Sequence, residues 1–409
     1  MNILSLMGLF PHEYEEEINQ NSIGGIQNAA NKFQWGIVNG LSQIDGVDLK
    51  IINSLYIGSY PKRYKKCYIP SFSFQHDKDK NSQDINVGFI NLSIYKSYSR
   101  YSSIKKEIKK AFCKEQNRPQ VVIAYAMTTP FVELLAFIKK EYPQTICCLI
   151  VPDLPEYMNA ALTTKKAYQF AKKMQISHFK RKLKKIDGYV LLTKYMREWF
   201  DWSINYTVIE GISLRTKKDL DCIQSKQKEK VILYAGMIEE KYGVLDLVKA
   251  FMRIDNPEWI LELYGNGSTL SHIEKLAYND KRIKVKGNVP NEQIIKRQQE
   301  VSLLVNPRND SNEFTKYSFP SKIIEYMGSG TPMLGYKLSG MPDEYLPFFF
   351  LLEPGIDGMA KSIQQVISLS DEERAMMGRK ALEFIISKKN AKKQCEKIIS
   401  LITSCMNEG

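Results

Sequence analysis

The chain has 409 residues, 44% apolar and 25% charged, the make-up of a globular protein with length for two or three domains, each with its own core. Lys and Arg total 58 against 45 Asp and Glu, and the net charge of +13 calls for an anionic partner: nucleic acid, a phosphorylated ligand or an acidic membrane surface. No apolar run approaches the ~18 residues of a membrane span, the start lacks a basic signal-peptide region, and the 7 cysteines contain no CxxC pair, so a soluble intracellular protein with reduced thiols is expected.

Residues 3–6 read as a buried strand, followed by a long loop to Gly24-Gly25 and a helical pattern over 26–41. Paired glycines before a helix form either a plain turn or a loop whose backbone comes close to a ligand. Further strands are expected at 49–55, 87–89 and 121–124, the last leading through a Thr-Pro turn into a helix over 131–142. Strand alternating with helix is the pattern of a doubly wound parallel sheet. The apolar strand after Thr145 ends in Pro152-Asp153-Leu154-Pro155. Asp153 there either caps a turn or orients or deprotonates a substrate hydroxyl, because ligands bind beyond the carboxyl ends of such strands. Residues 165–185 carry three basic clusters interleaved with Phe170, Met174, Ile176, Phe179 and Leu183. The spacing predicts a basic amphipathic helix suited to an anionic membrane, with Lys105-Lys106 and Lys109-Lys110 as a second cluster. No nucleic-acid motif accompanies these cations, so nucleic acid is not expected as a partner.

A strand from Val190 and the stretch 209–212 close a first domain of residues 1–212, and polar residues 213–230 read as a linker into a second, 213–388. Asp77-Lys78-Asp79 and Asp219-Leu220-Asp221 follow no strand that would aim two carboxylates at a diphosphate. They read as surface loops, and no divalent metal is expected. The second domain opens with a strand at 231–235 and a glycine turn at Gly236, leading past Lys241 to Gly243 and a helix. A strand from Trp259 ends in Gly265-Asn266-Gly267; another covers 283–287, and a buried strand from Val301 delivers Arg308.

Next comes Tyr317-Ser-Phe-Pro-Ser-Lys-Ile-Ile-Glu-Tyr-Met-Gly-Ser-Gly-Thr-Pro332. Pro320 presets the first helical turn, Ser318 is the expected cap, and Gly328, Gly330 and Pro332 end the helix. Ser321 and Lys322 put a hydroxyl and a cation at an end that already favours phosphate. Glu325, one turn further on the same face, could accept two hydrogen bonds from a vicinal diol such as ribose. This pattern fits a nucleotide; it also fits an ordinary capped helix packed on a sheet. Beyond Pro332 a strand to Tyr336, a short Phe-rich strand at 348–352 and helices over 358–369, 371–386 and 391–406 are expected.

The stretch Ser318–Pro332 resembles the donor-binding helix of the retaining GT-B glycosyltransferases of family 4, most of all the branch that builds bacterial surface polysaccharides. The resemblance covers most of the chain, strongly over 230–345. It implies two Rossmann-like domains with a cleft between them, the last helix from 389 returning to the first domain. It also implies a sugar moved from a nucleotide diphosphate sugar, with no other cofactor, to a hydroxyl of a lipid-linked glycan at the cytoplasmic membrane face. By the same resemblance Gly24 and Gly25 face the donor phosphates, Gly265 and Gly267 border the base, Glu325 holds the ribose and Asp153 faces the acceptor. Two positions depart from the family's pattern. Met237 stands where the family has an arginine, with Lys241 one place before the expected lysine. Tyr317 stands where the family has the first of two glutamates. Glu313 is then the substitute near the donor sugar, and the diphosphate falls to Arg308, Lys316 or Lys322. Those departures keep open a non-catalytic partner subunit, beside a sugar-nucleotide epimerase of the same fold.

Overall fold

Apolar strands buried on both faces build the first sheet. β1 (Asn2–Met7), β2 (Asp48–Asn53), β7 (Val121–Tyr125) and β8 (Ile146–Val151) pair in parallel, and β7 together with the last five residues of β8 is buried throughout. Runs of this kind belong to parallel sheets covered by helices on both sides. The computed structural model describes residues 1–24, 26–79, 82–113, 118–157, 166–222, 228–310 and 313–408. Between β1 and β2 lie helices α1 (Glu15–Asn21) and α2 (Asn28–Ser42), so the expected long loop after β1 contains a helix of two turns. The short strands β3 (Tyr68–Ile69), β4 (Phe72–Phe74), β5 (Asp84–Asn86) and β6 (Phe89–Ile90) follow. The strand expected at 87–89 falls mostly in the break between β5 and β6, with only Phe89 in a strand. At Gly88 the chain runs so close to β3 that a Cβ would stand 3.0 Å from the Ile69 carbonyl oxygen. The unit continues with α3 (Lys96–Phe112), α4 (Thr129–Glu141), α5 (Lys166–Leu183), β9 (Gly188–Leu191) and β10 (Tyr206–Val208). The sheet order is β10-β9-β8-β7-β1-β2-β5-β4, with only β4 antiparallel to its neighbour.

Helix α5 does not present all its apolar residues outward. Phe179 and Leu183 are buried, whereas Phe170 and Met174 are exposed. Cations at its C-terminal end are internally paired: Lys180 with Asp201 and Lys182 with Glu133, and just beyond the helix Lys184 with Asp201. Exposed large apolar side chains are thereby confined to the earlier turns of this helix.

The second unit runs through α6 (Lys217–Cys222), β11 (Glu229–Ala235), α7 (Val244–Met252), β12 (Ile260–Tyr264), α8 (Leu270–Asn279), β13 (Ile283–Gly287), α9 (Asn291–Glu300), β14 (Val301–Asn306), α10 (Ser321–Met327), β15 (Met333–Gly335) and β16 (Phe350–Leu351), whose strands form the second sheet. Its six strands are all parallel in the order β13-β12-β11-β14-β15-β16. Asp219 proves to be helical: its carboxylate accepts from Thr216 N and Oγ1 and from Arg215 Nη1, closing the first turn of α6. Helices α11 (Gly355–Ile367) and α12 (Asp371–Lys388) complete this unit, the latter begun by a reciprocal Ser370–Glu373 capping box.

The chain divides into two compact units, Met1–Ile212 with Ala391–Gly409, and Ser213–Asn390. The last helix, α13 (Ala391–Glu408), packs on α2 and against β8, β9 and β10 of the first unit, with the Cys395 thiol donating to the Ile37 carbonyl at 3.3 Å. Cys147, Cys148, Cys395 and Cys405 are buried free thiols whose pKa values burial pushes up. No helix among the described residues is long and apolar enough to cross a membrane.

Candidate functional site

In the second unit the strand order turns outward in both directions from between β11 and β14. That reversal is the switch point at which open parallel sheets leave a crevice beyond the strand ends. The loops there approach one another very closely. Gly265, with φ of +131°, lies where a Cβ would come 1.8 Å from the Gly236 carbonyl oxygen, and one on Gly267 would reach the Ile238 carbonyl at 2.2 Å. Only residues without a side chain let the ends of β11 and β12 meet in this way. On the other side Gly243, φ +74°, presses against the Pro307 carbonyl that follows β14.

Helix α10 is fixed over this crevice by Tyr326. The buried phenol accepts from Ala235 N at 2.9 Å and donates to the Ala235 carbonyl at 3.2 Å, tying the helix to the end of β11. One turn earlier, the Cε of Lys322 lies 3.0 Å from the point a Cβ on Gly236 would occupy. The helix has seven residues, and Pro320 precedes it without any side-chain cap. Ser318 is therefore not the cap: its hydroxyl accepts from Arg308 Nη2 at 2.8 Å and donates to the Phe314 carbonyl at 3.3 Å. Two turns align few peptide dipoles, so positive charge here comes chiefly from side chains. Arg308 lies between the rings of Tyr242 (5.9 Å) and Phe314 (5.1 Å), and burial holds its guanidinium below the ordinary value.

Glu325 is half-buried, and its Oε1 accepts from Gln298 Nε2 at 2.8 Å. Gln298 itself is buried, at 1% exposure, so it holds the carboxylate in one orientation at the crevice edge. Nothing in the polar run Lys296-Arg297-Gln298-Gln299-Glu300 marked this residue out. The structure thus gathers Arg308, Lys322, Glu325, Gly265 and Gly267 on strand ends and α10, with Ser321 exposed at the helix start. Lys241 is exposed, its Nζ 5.1 Å from the Tyr242 ring centroid, and Glu313 projects to solvent within 3.9 Å of Lys316. Met237 is 55% exposed directly after Gly236.

The first unit holds a second group of polar residues at the carboxyl ends of β2, β7 and β8. Asp153 follows β8 and is open to solvent, yet protein crowds it enough that desolvation raises its carboxyl from 3.8 to about 6. Tyr125 ends β7, and the next residue, Ala126, adopts φ +81°, a strained backbone for a residue with a side chain. Burial raises the phenols of Tyr125 and Tyr56, and the charge of Asp153 contributes to both shifts. Neither tyrosine carried a signal in the sequence, since each reads as an ordinary strand-end aromatic. Gly24 has φ +85°, with Arg63 Nη1 3.7 Å from the place of its absent Cβ; Gly25 lies outside the described residues.

Two units, each with a mainly parallel sheet covered by helices, define an α/β protein of the GT-B fold class. Solved structures agree over the whole length. A sucrose-phosphate synthase from Thermosynechococcus elongatus superposes with a TM-score of 0.64 at 14% identity, covering 100% of both chains. The Anabaena protein HepE, in complex with UDP, gives 0.59 at 12%, covering 99% of this chain and 100% of that one. A UDP-forming trehalose-phosphate synthase from Burkholderia xenovorans gives 0.60 at 10%, covering 99% of each. At such identities the likeness establishes the fold. Residues 217–403, which hold the Arg308–Lys322–Glu325 crevice, match the model of the family described as glycosyl transferases group 1. No curated protein sequence matches the chain.

Proposed function

We propose that this protein is a glycosyltransferase, moving a sugar from a nucleotide diphosphate sugar to an acceptor hydroxyl. The observation that carries the reading is the glycine-walled crevice at the β11/β14 switch point, flanked by Arg308 and Lys322 and edged by a Glu325 carboxylate that Gln298 orients. The cations offset a diphosphate's charge as it departs, and the oriented carboxylate fits a ribose diol. The family match over the same segment and the UDP bound in the Anabaena neighbour support a nucleotide ligand. In this reading Arg308 and Lys322 offset leaving-group charge without a metal ion, and the resemblance to family 4 supports transfer with retention of anomeric configuration. Asp153 would accept the acceptor's hydroxyl proton, and Glu313 would reach the donor sugar only if its exposed turn folds over it. Phe170 and Met174, exposed beside Lys172 and Lys173, support a peripheral membrane position and a lipid-linked acceptor of surface-glycan synthesis at the cytoplasmic face.

Thermal shift with a panel of UDP-, GDP- and dTDP-sugars in EDTA tests the donor site. One donor should stabilise the wild type, and Glu325→Ala should weaken that donor about 100-fold, the worth of two charge-assisted hydrogen bonds at about 1.5 kcal/mol each. Equal stabilisation of both proteins would remove Glu325 from the site. A specific observation favours one other reading, a non-catalytic partner of the same fold. Met237 presents exposed apolar surface where the resemblance implies an arginine. That reading predicts no shift with any donor.

A further inference from the structure

Lys96 and Arg100, one turn apart on α3, reach the same segment just beyond β2. Arg100 is 6% exposed, and its Nε and Nη2 donate to Ser54 Oγ at 2.8 Å and to the Ser54 carbonyl at 2.7 Å. The rings of Tyr56, Phe89 and Phe131 surround its guanidinium at 5.8, 5.7 and 5.7 Å. Lys96 donates to the Ile57 carbonyl. Among the described residues neither cation has a carboxylate partner, and Arg100 Nη1 has no acceptor. Two cations held so close, one of them buried, are costly without a counter-charge. The cost is visible in both: burial lowers Lys96 to about 7 and Arg100 to about 10, with the charge of Arg100 adding to the depression of Lys96. A purely structural clasp on the Ser54–Ile57 carbonyls would need only neutral donors. Tyr56 links this pair to the strand-end group, because its phenol feels the charges of both Arg100 and Asp153.

We propose that Lys96 and Arg100 form a binding site for an oxyanion, a phosphate group carried by the acceptor, beside Tyr56 and Asp153. Naming the acceptor as the carrier rests on the glycosyl-transfer reading; the anion site itself does not. A phosphate seated there would supply the missing counter-charge, and its sugar or lipid would extend toward Asp153. Phosphate can arrive on a soluble sugar phosphate or on a lipid headgroup, and the two are separable.

Titration calorimetry with inorganic phosphate and glucose 6-phosphate, with and without saturating UDP, distinguishes this site from the donor crevice. Pelleting with phosphatidic-acid vesicles adds the lipid source. Lys96→Gln, at a half-exposed position that should tolerate the change, is expected to weaken phosphate binding about tenfold or more while leaving UDP binding unaltered. Arg100→Gln should do the same, with its fold checked by circular dichroism. Loss of glucose 6-phosphate binding assigns a soluble sugar phosphate, and loss confined to vesicles assigns a headgroup. If the wild type binds no phosphate in any form, or Lys96→Gln binds as the wild type does, the proposal is overturned. Lys96-dependent phosphate binding in a protein that ignores UDP would keep the anion site and remove the glycosyl-transfer reading.

Discussion

Gly265→Ala is expected to lower the stability of the second unit by about 3 kcal/mol and to abolish nucleotide-sugar binding. Two penalties coincide at this residue. A φ of +131° is strained for alanine, and its methyl would stand 1.8 Å from the Gly236 carbonyl oxygen, far inside van der Waals contact. Relief requires the ends of β11 and β12 to part, which widens the crevice on the side opposite Arg308. In a unit of this size the loss corresponds to roughly 6–12 °C in Tm. Calorimetry on wild type and variant, each with and without the preferred donor, measures both effects. A variant with unchanged Tm and donor affinity would show that the two loops do not meet as described.

Asp153→Asn should have the largest effect on turnover, a loss of about 10²- to 10⁴-fold if the carboxylate takes the acceptor's proton. The raised value near 6 sets the pH dependence. Only the ionised form is a base, so kcat/KM at low acceptor should rise between pH 5 and 7 and level off above, with its inflection near 6. The asparagine variant should lose that inflection. Stability should move oppositely. A carboxyl raised above its ordinary 3.8 favours the folded state at low pH, and that advantage disappears as pH climbs through about 6. Above pH 6 the ionised Asp153 therefore opposes folding, and Asp153→Asn should raise Tm at pH 7.5 while leaving it near wild type at pH 4. A variant that keeps wild-type turnover and the inflection would exclude Asp153 as the base.

The parts of this fold that the sequence declares are those in which local chemistry and tertiary role coincide. β14 is a short, mainly aliphatic run ended by Pro307, and α10 is bracketed by Pro320 and by Gly328 through Pro332, so neighbours along the chain suffice to define each. Ser318 misled because an N-cap and a partner for a nearby arginine use the same hydroxyl, and Arg308 lies ten residues upstream. The strand expected at 87–89 failed for a related reason: β-forming residues surround Gly88, but the close approach of β3 breaks the ladder there. Least legible were residues whose meaning depends on distant partners. Gln298 matters through Glu325, 27 residues away, and Arg100 matters through Ser54, 46 residues away. Both sit in polar helical runs that look like any solvated face. Burial, which makes Arg100 unusual, exists only once α3 is docked.

The path of α13 bears on the order in which the protein can be assembled. The first unit needs residues from both ends of the chain, since Cys395, Ile398 and Ile402 join the same buried cluster as Trp35, Ile37 and Leu41 of α2. During synthesis the first unit must therefore wait, its α2 face uncovered, while the whole of Ser213–Asn390 emerges. The second unit can close on itself beforehand, because every strand of its sheet is contiguous in the chain. The later-made half thus holds all of its own sheet, whereas the earlier-made half lacks part of its core until the end of the chain is available. A chain truncated after Asn390 should display a protease-resistant second unit tethered to a protease-sensitive first one.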